Sequence, residues 1–321
     1  MPVVAARHHS VVAPAGARAD GRARQGARRR AVRRRALRAS VAGALVVAAL
    51  AGCAGTAERA APEPVLVPQP VAVAKAAAPA PPPPVDLATL PVVDLLHVVP
   101  GLPGPDGLTP LENEDPALGR WRTVVVTEPT AAHASAGGPA VGVLPSEVLG
   151  AANVLPVVEE SPGWVRVLVA TRGALPREDR SRVNGRTAWV RTSDVAPSGT
   201  DWSVVVDVAA QTLTVDDGTS VRTFPVLATG APATPTPHAP AFLLGLRWVE
   251  PGTTTPRVLP LSTQSETIDH YDIPTGTAVT AIHTTTLRGR GAVSNGCVRV
   301  SDEVIDALWQ APAGTVVTTV G

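Results

Sequence analysis

A mainly β fold, in two small modules with one short helix near the C-terminus, is what the last 200 or so residues of this 321-residue chain predict. Two observations carry that expectation. Short runs rich in Val and Thr alternate with clusters of Gly, Pro, Ser and Asp, which is the spacing of strands and turns. A single stretch, residues 301–309, places its apolar side chains at helical intervals.

Taken in order, the chain opens on a targeting segment. An Arg-rich run ending at Arg33, Arg34, Arg35 and Arg38 leads into the apolar residues 41–50, a charged region followed by a short hydrophobic one. A bilayer-spanning helix needs roughly 20 apolar residues, so this segment is too short for a permanent span. Leu50, Ala51, Gly52 and Cys53 resemble a bacterial lipobox. Residues 1–52 are therefore expected to be a lipoprotein signal peptide, with Cys53 the lipidation site and the protein held on the outer face of the cell membrane. Residues 33–38 also resemble a twin-arginine signal, which leaves the export route open.

Residues 53–119 are expected to be a Pro/Ala-rich tether, mostly disordered, because proline fixes φ and removes backbone donors. Within it, residues 92–96 form the one segment able to dock as a strand or short helix.

Residues 120–198 read as strands at 122–126, 152–158, 164–169 and 187–191. Trp164, Arg166 and Leu168 alternate with Val165, Val167 and Val169, a pattern that fits a strand with one buried face. Short strands between turns predict a small barrel, its tryptophans filling the interior. The runs 155–158, 163–165 and 185–195 loosely resemble a bacterial SH3-type module.

Residues 201–321 begin with strands at 203–207, 211–215 and 221–226, the last two joined by a turn at 216–219. A proline-bound loop at 228–237 follows, then a strand at 277–282 that ends at His283, and Cys297 opens a short run to Val300. Ser301 is placed as N-cap of the helix, Asp302 and Glu303 sit at its positive end, and Val304, Ile305, Leu308 and Trp309 share one face. Residues 315–320 supply a final strand.

Charge excludes one class of function. The whole chain has 28 basic and 27 acidic residues, but residues 1–52 hold 11 Arg and only one acid, Asp20. Removing them leaves 17 basic against 26 acidic residues, a net of −9. A surface that tracks phosphates needs the opposite balance, so no nucleic-acid partner is expected.

With Cys53 committed to lipid, Cys297 is the one free thiol of an exported chain, which points to nucleophilic chemistry. An ordinary thiol is mostly protonated at neutral pH and needs a base. His283, 14 residues upstream, can reach it if the intervening segment folds back through Gly289 and Gly291. His238 and His270 are its rivals. Backbone N–H groups of Asn295, Gly296 and Cys297 are the natural oxyanion donors. No metal site is expected, because the histidines lack ligand spacing and no second thiol accompanies Cys297.

Four pieces of sequence carry a resemblance: residues 206–215, the 228–237 loop, Ile282-His283, and Ser294-Asn295-Gly296-Cys297-Val298-Arg299 with residues 313–317. Together they resemble the catalytic domain of the L,D-transpeptidases, the YkuD type, over roughly residues 201–321. The resemblance implies a β-rich catalytic domain that cross-links peptidoglycan stem peptides through a thioester, with no cofactor. It makes Cys297 the nucleophile and His283 the general base and acid, and has the Thr284 carbonyl orient the imidazole. Ser294, Arg299, Tyr271 and His270 become candidate substrate-binding residues, and carbapenem-type inhibitors are expected to acylate Cys297. Three positions depart from the pattern. Asn295 stands where His is frequent, Thr284 where Gly or Ser is, and residues 237–242 replace a Pro-Thr-Gly before an aromatic. An L,D-carboxypeptidase, with water in place of the amine, and a non-catalytic wall-binding scaffold are the alternatives.

Overall fold

Prolines and glycines divide the chain into short strands, and pairing gathers them into three main sheets. The computed structural model describes residues 85–321; the expected signal peptide, Cys53 and the tether up to residue 84 lie outside the described residues. The described residues belong to one compact unit and are mainly β.

The first sheet is built from β1 (Trp121–Val125), β2 (Thr130–His133), β3 (Ala140–Leu144), β6 (Val154–Ser161), β7 (Trp164–Leu168), β8 (Thr187–Arg191) and β9 (Ala196–Thr200), and a small hairpin, β4 (Glu147–Val148) with β5 (Ala151–Ala152), stands beside it. Its order is β3-β2-β8-β7-β6-β1-β9, and every pairing is antiparallel. β2, β3 and β9 were not expected. β9 holds Pro197 and Gly199, which argue against a strand except at a sheet edge, where β9 lies.

The stretch 85–119 differs from the tether expected there: it packs as a strap. Val93 N–H donates to the Val143 carbonyl at 2.8 Å, Val99 N–H to Arg172 at 2.7 Å, and Leu111 N–H to Val157 at 2.8 Å. Val93, Leu95, Val99 and Leu102 sink into the core of the first sheet. These apolar residues come at uneven intervals, Val93, Leu95 and Val99 in one run and Leu102 beyond Pro100, so no period announces them. The strap also corrects the single buried face expected for β7. Arg166 is buried too, held by Asp106 at 2.8 Å, the Gly104 carbonyl at 2.7 Å and Glu159 at 3.0 Å.

The second sheet, order β12-β11-β10-β20-β14, takes β10 (Ser203–Asp207), β11 (Thr212–Asp216), β12 (Val221–Pro225), β14 (Ala241–Phe242) and β20 (Val316–Val320). The third, order β15-β16-β17-β19-β13-β18, takes β13 (Ala228–Gly230), β15 (Trp248–Val249), β16 (Arg257–Gln264), β17 (Val279–Thr284), β18 (Gly291–Ser294) and β19 (Val298–Val300). Val204, Val206 and Leu213 from one meet Ile282, Val298 and Val300 from the other in a common core, closed by Val304, Ile305 and Leu308 of α1 (Asp302–Leu308). Ser301 sits at the N-cap, yet its side chain makes no capping hydrogen bond. Arg257 instead ties the helix down, reaching Asp306 at 2.7 Å and lying 4.6 Å above the Trp309 ring.

β16 escaped the sequence reading because Pro260 interrupts it, and a proline demotes an interior strand. The structure accommodates it with a slip in register between Pro260 and Gln264. Phe242 and Leu244 cross over to pack in the core of the first sheet, so the two cores touch.

Candidate active site

Parallel pairing of β17 with β19 builds the site. Ile282 pairs with Val298, His283 with Arg299 and Thr284 with Val300, so continuing the register one residue back sets Cys297 beside Ala281. Residues 281 and 283 face the same side of β17, since side chains alternate along a strand. The thiol and the imidazole therefore open into one cleft of about 540 Å³, with Tyr271 on its wall. A cavity of about 630 Å³ lies on the first sheet beside His133 and Arg191, but it contains no cysteine.

The turn that presents Cys297 is braced from behind. Gly296 has φ 107°, a conformation that glycine alone adopts without strain. The buried Ser294 hydroxyl donates to the Cys297 carbonyl at 2.6 Å and accepts the Gly296 N–H at 3.2 Å. The Ser294 carbonyl in turn accepts the Ala231 N–H at 2.9 Å and the Thr234 hydroxyl at 2.8 Å, so the proline-bound loop backs the turn that bears Cys297. At the root of that loop, a Cβ on Gly230 would come within 2.2 Å of the Thr236 backbone nitrogen, which leaves no room for a side chain. Ser294→Ala strips a partner from two backbone groups. It is expected to cost about 1–3 kcal/mol of stability, read as a lower urea midpoint at unchanged slope.

His283 is 6% exposed, and its Nδ1 lies 2.8 Å from the Thr284 carbonyl. A carbonyl only accepts, so Nδ1 carries the proton, and in the neutral ring Nε2 keeps a lone pair free to act as base. Burial pushes the imidazole pKa down; the Thr284 contact opposes that shift and the Arg299 charge adds to it. Burial pushes the Cys297 thiol up, against the Ala281 N–H, the Tyr271 hydroxyl and the Arg299 charge, which all favour thiolate. Both groups accordingly rest uncharged near neutral pH. The Tyr271 hydroxyl donates to the Val279 carbonyl, and burial raises its pKa as well.

Several expected roles change. Gly296 N–H, expected among the oxyanion donors, is occupied by Ser294, which leaves the Asn295 and Cys297 N–H groups for that role. Ser294, expected to shape the turn or assist the site through its hydroxyl and also a candidate substrate contact, is buried with its hydroxyl bonded within the turn. Arg299 does not line the cleft; it lies half-buried, with its Nε buried and unpartnered among the described residues, and acts on the pair through its charge. Tyr271 lines the cleft but His270 is exposed outside it. His238 is exposed as well.

Sequence reasoning missed Ala281, Leu96, Leu149 and Trp248 on the cleft wall. No local pattern marks these residues, since distant segments bring them in. Among the described residues, no three His, Cys, Asp or Glu side chains converge as a metal set would.

Comparison with known proteins finds one family model and a set of solved structures. Residues 201–319 match the family model YkuD, the L,D-transpeptidase catalytic domain, so the chain carries a domain of that type over somewhat more than a third of its length. No curated protein matches. Among solved structures, an L,D-transpeptidase from Mycobacterium smegmatis is 15% identical with a TM-score of 0.31, covering 49% of this chain and 91% of its own. The C442S mutant of the Enterococcus faecium L,D-transpeptidase is 18% identical with a TM-score of 0.27, covering 38% and 53% respectively. An L,D-transpeptidase from Stackebrandtia nassauensis is 18% identical with a TM-score of 0.28, covering 37% and 55%.

Proposed function

We propose that the chain is a peptidoglycan L,D-transpeptidase that joins stem peptides through a thioester on Cys297. The observation that carries this reading is the thiol and the imidazole opening into one cleft, with Nδ1 of His283 spent on the Thr284 carbonyl. Nε2 of His283 takes the thiol proton as the sulfur attacks a peptide carbonyl of the donor stem. Because both groups rest uncharged, that transfer accompanies the attack instead of preceding it. Negative charge on the carbonyl oxygen meets the N–H groups of Asn295 and Cys297. The imidazolium then protonates the departing D-alanine amine, leaving the acyl group on sulfur. An amine from a neighbouring stem loses its proton to Nε2 and attacks the thioester, which forms the cross-link and returns the thiol.

The same proposal covers the N-terminal half. Cys53 carries the lipid, the tether spans outward from the cell membrane, and residues 120–198 are an SH3-type module facing the wall. Incubation with stem tetrapeptides tests the activity: cross-linked dimers with release of D-alanine are expected by mass spectrometry, as is a single carbapenem adduct on the Cys297 peptide. Shortened stems without dimers would make the protein a carboxypeptidase, and neither product nor adduct would leave it a scaffold.

A further inference from the structure

Tyr271 lines the Cys297 cleft from the loop that joins β16 to β17, closed at its base by the Ser265 N–H bond to the Ala278 carbonyl at 2.8 Å. Within the loop, Tyr271 N–H donates to the Thr277 carbonyl at 3.0 Å and Gly276 N–H to Asp272 at 2.9 Å, closing a small turn. The anchor comes from far away in sequence. Arg172, in the segment that follows β7, is 2% exposed, and its guanidinium donates from Nη1 to the Asp269 carbonyl at 2.6 Å and from Nη2 to the Gly276 carbonyl at 2.8 Å. Those two carbonyls bracket the loop, one on each side of Tyr271. Arg177 adds a second tie, its Nη1 2.8 Å from the Asp269 carboxylate and its N–H 3.1 Å from the same group. Arg172 is fixed in turn by the strap, since its own carbonyl accepts the Val99 N–H at 2.7 Å.

Burying a guanidinium between two neutral carbonyls costs desolvation that these hydrogen bonds only partly return. Burial lowers the pKa of Arg172, opposed by Asp269 and Glu178. What the arrangement gains is geometry: a planar fork holds two acceptors at a set separation, which a lysine ammonium cannot reproduce. We propose that Arg172 is a positioning residue for the Cys297 reaction, clamping both ends of the 269–276 loop so that Tyr271 is held in the wall of the Cys297 cleft. The module before residue 200 then forms part of the working site. The inference rests on the thiol chemistry proposed above, and its test needs no stem peptide.

The test follows alkylation of Cys297 by iodoacetamide across pH in the whole chain, purified in detergent and read on the Cys297 peptide by mass spectrometry. Tyr271→Phe removes the hydroxyl, and Arg172→Lys keeps a charge and a donor while losing the fork. Each is expected to move the thiol titration upward and to slow alkylation at neutral pH by about five- to tenfold, the worth of one hydrogen bond. Acting through the same side chain, the double variant is expected to be no slower than Tyr271→Phe alone, because coupled residues do not add. Arg172→Gln serves if the lysine variant does not fold. Alkylation at the original rate in a folded Arg172 variant, additive slowing in the double variant, or failure of both Arg172 variants to fold would overturn the clamp. Absent stem turnover with this coupling intact would overturn the transpeptidase reading and leave the clamp standing.

Discussion

On the thioester route proposed above, Cys297→Ala is expected to abolish acyl transfer, with no adduct on the 297 peptide and stem turnover lower by a factor on the order of 10⁴ or more. The size follows from the route. Without the sulfur there is no covalent intermediate, and the remaining donors can only bind the peptide bond. Nothing described here substitutes for it, since Cys297 is the free thiol among the described residues. Cys297→Ser is the sharper test. A hydroxyl has nearly the same size, but it ionises far less readily than a thiol, and a base held below the ordinary imidazole range takes up its proton less readily still. The serine protein is expected to fold with the original melting temperature and to fail in intact-mass detection of the acyl-enzyme. Full turnover by the serine variant would sink the thioester route.

His283→Ala is expected to lower the acylation rate by about 10²–10⁴, the range for a general base. Its pH dependence carries a sign. The base works only with Nε2 unprotonated, and burial together with the Arg299 charge holds the pKa below the ordinary 6.5. The acid limb of the rate profile should therefore lie below pH 6.5, and Arg299→Gln should move it upward. Stability follows the same group. Below pH 6.5 an unfolded His283 takes up a proton that the folded one refuses, so the unfolded state binds more protons and stability falls as pH drops through that window. An acid limb at or above 6.5 in the parent protein would contradict the burial argument.

How far the sequence was legible depends on whether a signal is local. The helix was readable from Val304, Ile305 and Leu308 alone, because one face of one element must be apolar, and all three are buried. β10 was readable from its Val run between turns. β16 was not, since Pro260 sits in its middle, and the compensating slip in register is a property of the pair. The strap was hidden for a different reason: Val93, Val99 and Leu102 each fill a gap made by other segments. In the site, the short distance in sequence between His283 and Cys297 made the pair visible, and the parallel register of β17 and β19 brings them to one cleft. A turn leaves its donors free only until a nearby side chain claims one, as the Ser294 hydroxyl claims the Gly296 N–H. Arg172 lies 97 residues from the first carbonyl it holds, and no spacing rule reaches that far.

Phe242, 1% exposed, sits in the core of the first sheet although its strand belongs to the second. Fully burying a side chain of that kind contributes about 1.5–3 kcal/mol, so each half of the described chain borrows stability from the other. Residues 201–319, the segment that bears Cys297 and His283, therefore do not bury all of their apolar side chains by themselves. Cut away from what precedes them, they would present Phe242 and Leu244 to water and release the loop that carries Tyr271. Chemistry and cooperativity have different boundaries in this protein: reactivity is concentrated in one segment, while the integrity that sustains it extends back to the strap.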